Sequence, residues 1–162
     1  MILQVIGPSI ELSQGDLFDD VPIFVRIDET SADTKRSRAI VLTQTCDLAQ
    51  SKSTNILVAC IYTAQSMVDD NVLKANTIRD HVRLGKMFGL YFIPAEPELE
   101  IPELIVDLRD VHTIPRRILE ELRTAGKRPA TLPSPYREHL AQHFALTYMR
   151  IALPVPSETM PF

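Results

Sequence analysis

The chain has no run of about 18 apolar residues, the minimum for a membrane-crossing helix, so no membrane role is expected. Its first residues, Met1 to Pro8, carry no basic region and are too short for a signal peptide; they read as a first strand. Cysteine is limited to Cys46 and Cys60, which excludes a disulfide scaffold and predicts a reduced, cytoplasmic setting. Positive charge is not in excess: the formal net charge is −4 and the pI near 5.5. A protein that coats nucleic acid is usually basic, so any work on nucleic acid needs a local basic patch. There is no GxGxxG, Walker loop, HExxH or GxSxG, which removes the common signatures of dinucleotide, nucleotide, zinc-peptidase and serine-hydrolase sites. Repeats, low-complexity tracts and interdomain linkers are also missing, so the 162 residues are expected to form one domain.

What is present is ordinary globular material, 45% hydrophobic and 23% charged, enough for a real core. Gln14-Gly15-Asp16 predicts a turn, followed by strand residues Leu17-Phe18 and Val21 to Val25, with Pro22 suited to an edge or bulge. Residues 26–38 are almost wholly polar and predict an exposed loop. Ala39 to Thr43 and Ile56 to Tyr62 are apolar, β-branched runs across a polar stretch, and predict an antiparallel hairpin. Residues 63–87 predict an inserted helical segment with Ile78, Val82 and Met87 as its apolar stripe. Strands are expected at 88–94, 104–106 and 111–114, with a Pro/Glu-rich loop at 95–103. Pro115 and Gly126 bracket a helix whose apolar face is Ile118, Leu119 and Leu122; residues 127–133 read as a loop. Ser134-Pro135 opens a last helix lined by Tyr136, Leu140, Phe144, Thr147, Tyr148 and Ile151. This order predicts an α+β fold: a small barrel over about 1–114, interrupted by the 63–87 insertion, then C-terminal helices over about 115–151.

Gln44-Thr45-Cys46-Asp47 is the most unusual polar group, placed where an apolar strand emerges. Thr45 is a candidate phosphate ligand, Asp47 a candidate base, and Cys46 a nucleophile if a histidine, His112 or His81, lowers its pKa. The plainer alternative is a buried thiol followed by an aspartate that caps a turn. His112 suits acid–base work near neutrality, or a structural hydrogen bond. His139 and His143, four apart on one helix, are spaced to share a metal, but EHLAQH is not HExxH and no third ligand is near in sequence. Cys46 and Cys60 are expected as free thiols on neighbouring strands.

Two stretches resemble the MazF/PemK toxin endoribonucleases. One is Arg36-Ser37-Arg38 followed by AIVLTQTCDLAQSKSTNILVACI, with Gly15-Asp16 matching the Gly-Asp turn that opens the first strand pair and Arg38 the Arg of Arg-Pro. The other is ELIVDLRDVHTIPRRIL, Glu103 to Leu119, which resembles the late strand pair and following helix. Ala39 stands where the family has proline, and Asp107-Leu108 where it has glutamine. The resemblance implies an SH3-like small β-barrel, a homodimer, an antitoxin partner, and cleavage of RNA without metal or cofactor. It makes Arg38 the residue that stabilises the added negative charge on phosphate, by its bidentate fork, with Thr45, Cys46 and Asp47 as the other catalytic candidates. Arg36, Gln44 and His112 are then substrate-binding candidates. Two other functions compete: a hydrolase centred on Cys46 and Asp47, and a non-catalytic SH3-like interaction module.

Overall fold

The computed structural model describes residues 2–50 and 54–149. Among the described residues six strands form one antiparallel sheet in the order β4-β5-β3-β2-β1-β6. They are β1 Asp16–Arg26, β2 Ala32–Val41, β3 Asn55–Thr63, β4 Leu90–Ile93, β5 Leu104–Pro115 and β6 Ala130–Thr131. Five helices accompany them: α1 Thr45–Ala49, α2 Ala64–Asp69, α3 Ala75–Thr77 continued by a π turn over Ile78–Val82, α4 Arg116–Thr124 and α5 Tyr136–Tyr148. The α+β class is as expected, but the sheet is open: β4 and β6 lie at its two edges and are not paired with each other. Among the described residues no helix is long and apolar enough to cross a membrane.

The predicted hairpin forms. Ala39 lies opposite Cys60, Ile40 opposite Ala59 and Val41 opposite Val58, and all six are buried. Because side chains alternate along a strand, these pairs supply both faces of the sheet. On one face Leu17, Ile40, Ala59, Ile61 and Val106 pack with Leu3 and with Leu140 of α5. On the other, Phe18, Ala39, Val41, Val58 and Cys60 pack with Leu48 of α1 and Leu119 of α4. Further along that second face Ile105 and Leu90 meet Ile78 and Val82 of the expected stripe, joined by Met67, while Met87 is only partly buried against them.

Several boundaries differ from expectation. Of the expected first strand, the described residues 2–8 form no strand: only Gln4 reaches Thr131, in an isolated bridge, while Leu3 and, further on, Leu12 are buried apolar plugs. The 26–38 loop is mostly hairpin, since β1 runs to Arg26 and β2 begins at Ala32; main-chain pairing continues there without a buried face, which hydrophobicity alone does not register. The late strand pair is a single strand, β5, with a bulge in its middle. Within 127–133, Ala130 and Thr131 form β6 against Asp16 and Leu17. In α5, Leu140 and His143 are the buried residues and Phe144 is half-buried. Ile151 and the tail lie outside the described residues. Pro22 follows the β1 bulge at a point where β6 no longer covers that edge, and so needs no partner for its missing N–H. Gly15 has φ +89°, and a Cβ there would meet Leu132 at 3.1 Å, so the predicted turn needs glycine on both counts.

Asp28 closes the β1–β2 turn. The Ser31 hydroxyl donates to its Oδ2 at 2.6 Å, and the Thr30 and Ser31 N–H groups donate to Oδ1, both at 2.8 Å. These bonds, the Ser31 hydroxyl foremost, hold its carboxyl down at about 2 from the usual 3.8. A depressed pKa means that the turn gains its support above the ordinary carboxylate value and loses it as pH falls through about 2. An NMR titration of the Asp28 carboxyl carbon should therefore show a midpoint near 2. A midpoint at the ordinary value would mean that the Ser31 and Thr30 bonds do not persist in solution.

Candidate functional site

The most concentrated polar chemistry lies on the second face of the sheet, between the apolar cluster under α4 and the one under α2 and α3. Tyr62 packs against both clusters. The group is built by register. On β3, Cys60 and Tyr62 are two apart and share that face. On β2, Lys35 and Ser37 share it with Ala39, which lies opposite Cys60. On β5, His112 lies opposite Val58 and Val111 opposite Ala59, yet Cys60 lies opposite Asp107. Leu108, Arg109 and Asp110 therefore have no partner on β3. This bulge swings Asp110 over Cys60, a use of bulges common beside functional sites.

Asp110 is the hub. Its Oδ2 accepts the Tyr62 hydroxyl at 2.6 Å, and its Oδ1 lies 2.7 Å from His112 Nε2. Lys35 Nζ donates to Tyr62 Oη at 3.4 Å and sits 5.8 Å from the ring centroid, a cation–π distance. Burial pushes the Asp110 carboxyl up, but the hydrogen bonds from Tyr62, His112 and Cys60 together outweigh it and the net shift is down. The Cys60 thiol is pushed up to about 12, first by burial and then by the Asp110 charge, so it stays protonated and is no nucleophile. Burial, then the Asp110 hydrogen bond, likewise raises the Tyr62 phenol. His112 and Asp110 remain open to solvent, with side chains 26% and 31% exposed. Cys60 Sγ, an Asp110 oxygen and a His112 ring nitrogen all lie within 4.8 Å of one another, a donor set able to hold a metal ion.

Of the catalytic and substrate-binding candidates singled out from sequence, His112 alone belongs to this group. Arg38 is next to Ala39 and so points to the opposite face, where its guanidinium pairs with Asp19. Arg36 shares that side and donates to the Asp20 carbonyl at 2.9 Å. Gln44 precedes α1, and Thr45, Cys46 and Asp47 form its first turn. Cys46 is therefore on a helix and not on a strand beside Cys60, although both thiols are free. Thr45 Oγ1 accepts the Gln14 N–H at 3.2 Å, a structural bond. Cys46 is exposed, with Gln44 Oε1 at 3.6 Å and Asp47 Oδ1 at 3.9 Å from its sulfur. Neither neighbour is a cation or an imidazole, and among the described residues no hydrogen bond or ion pair joins Cys46 to His112 or His81, or Arg38 to residues 44–47. His139 and His143 stack edgewise with Tyr91, and burial lowers the pKa of His143.

Lys35, Tyr62 and Asp110 are not among the site residues expected from sequence, and Cys60 is expected there only as a free thiol. A local signal existed: Cys60 with Tyr62, and Asp110 with His112, are each two apart in strands. What joins the pairs is a bulge, which has no hydrophobic signature. No protein-family model and no curated protein matches the chain.

Proposed function

We propose that the protein cleaves RNA phosphodiesters by acid–base chemistry, with His112 as the base. The observation that supports this reading is the bond between Asp110 Oδ1 and His112 Nε2 at 2.7 Å, with the Lys35 ammonium joined to Asp110 through the Tyr62 hydroxyl. An aspartate that accepts from one ring nitrogen holds the imidazole in one tautomer and leaves the other nitrogen with its lone pair. His112 Nδ1 then takes the proton from a ribose 2′-hydroxyl. The freed oxygen attacks the adjacent phosphorus, the bond to the 5′ oxygen breaks, and that oxygen leaves as a hydroxyl with a proton from solvent. The products are a 2′,3′-cyclic phosphate and a 5′-hydroxyl end. Lys35 supplies positive charge where the phosphorane gathers negative charge. Tyr62 fixes the second oxygen of Asp110.

This reading keeps the reaction that the resemblance to MazF/PemK implies and moves it from Arg38 and the Thr45–Asp47 turn to His112. An SH3-like ancestry, a cytoplasmic setting, a homodimer and an antitoxin that restrains cleavage belong to the same reading. Purified protein should cleave a short RNA in the presence of a chelator and leave a cyclic phosphate end. An oligonucleotide with 2′-deoxyribose at the cleaved position should stay intact, because it lacks the attacking group. Absence of RNA cleavage, or cleavage of the deoxy substrate, rejects the proposal.

A further inference from the structure

The reaction above leaves Cys60 unused, although it is fully buried directly beside the reacting pair. We propose that Cys60, Asp110 and His112 form a three-ligand site for one zinc-like divalent ion. The donors are a sulfur, an oxygen and an imidazole nitrogen, the set that a borderline ion such as zinc accepts and that magnesium or calcium does not favour. The size is right. With zinc bonds of roughly 2.0–2.3 Å, ligand atoms in a tetrahedral site lie roughly 3.3–3.8 Å apart. Here the three atoms fall within 4.8 Å of one another, so binding needs the wider separations to close and the His112–Asp110 pair, now at 2.7 Å, to part slightly.

The scaffold is rigid on one side and open on the other. Cys60 sits in the central strand β3, flanked by β2 and β5, and the bulge of β5 carries Asp110 to it. Asp110 and His112 keep part of their surface in solvent, which gives an ion a way in and leaves a fourth position for water. Tyr62 holds the other Asp110 oxygen at 2.6 Å, an outer-shell bond of the kind that orients a ligating carboxylate. Binding replaces the S–H bond by an S–metal bond and releases that proton to solvent. A thiolate, a carboxylate and a neutral imidazole then balance the ion's two positive charges. Ion binding does not depend on the RNA reaction; its consequence for that reaction does. An ion on His112 separates it from Asp110 and occupies its ring, so the ion inhibits cleavage.

The test uses full-length protein with Cys46→Ser, which removes the exposed thiol, kept reduced and free of metal. Cobalt(II) titration should give one equivalent bound, with the intense thiolate-to-cobalt charge-transfer band and the visible bands of tetrahedral cobalt, and zinc should displace it. Cys60→Ser should abolish the charge-transfer band. His112→Gln, at a position whose side chain is 26% exposed, should lose the tetrahedral spectrum while the far-ultraviolet spectrum stays that of the parent, which keeps the test independent of the folding of the Cys60 variant. No band in the Cys46→Ser protein, or a spectrum unchanged by His112→Gln, overturns the proposal. Cobalt bands together with RNA cleavage that zinc leaves untouched keep the ion site and reject the placement of the reaction at His112.

Discussion

Under the proposed reaction, replacing His112 with glutamine is expected to slow RNA cleavage by roughly 10²- to 10⁴-fold, the usual contribution of a positioned general base. The loss should fall on kcat with KM little changed, because the imidazole takes its proton only as the reaction proceeds. Glutamine keeps polar contact with Asp110 but has no basic nitrogen. The His112 side chain is 26% exposed, so the far-ultraviolet spectrum and thermal midpoint should stay near those of the parent. Tyr62→Phe removes one hydrogen bond from Asp110 and should have a smaller effect in the same direction. An H112Q protein as active as the parent would move the base elsewhere on the molecule. A variant that loses activity and fold together would mark His112 as structural.

Arg128→Ala should lower stability by roughly 3–5 kcal/mol, the cost of leaving one partner of a buried ion pair alone. Arg128 and Asp16 have side chains only 1% and 0% exposed, and Arg128 Nη1 donates to Asp16 Oδ2 at 2.8 Å. The same guanidinium donates to the carbonyls of Gly7, Ile10 and Glu11 at 2.7, 2.8 and 3.1 Å. One side chain thus ties the segment before β1 to the start of β1. Without it, Asp16 holds a buried charge and three carbonyls lose a donor, each a recognised source of large destabilisation. Urea unfolding measures the effect, with Arg117→Ala as the control. Arg117 pairs with Glu121 on the exposed face of α4, where an ion pair is worth little. If the two variants lose the same stability, the Arg128 network is not the clamp that its burial indicates.

The elements legible in the sequence are those whose physics is local. Val41 and Val58 belong to β-branched runs across a polar stretch, and such runs pair with each other because no nearer arrangement buries them. Ile118, Leu119 and Leu122 repeat at helical spacing, so the buried side of α4 could be read before its partner was known. Gly15 marks a turn by chemistry that involves only itself and its neighbours. The last helix was legible as a helix, but its orientation was not. His143 is buried and Phe144 only partly so, because the choice depends on Tyr91 and Phe88 across the packing interface.

The candidate site was not legible for the same reason, at longer range. Cys60 and Asp110 are 50 positions apart, and their meeting requires both the β3–β5 register and the extra residues of the β5 bulge. A bulge changes no hydrophobic pattern, so the run from Leu104 to Ile114 reads as two strands and hides the turn of Asp110 toward the thiol. Alternation along a strand also carries Arg38 to the face opposite Ala39, which separates it from Cys60 however close the two are in register. Sequence alone determined the β2–β3 hairpin, the apolar stripe of α4 and the Gly15 turn, because propensity and periodicity act between near neighbours. Tertiary structure decided which polar residues share a face, because strand register and bulge position arise only when distant segments pack together.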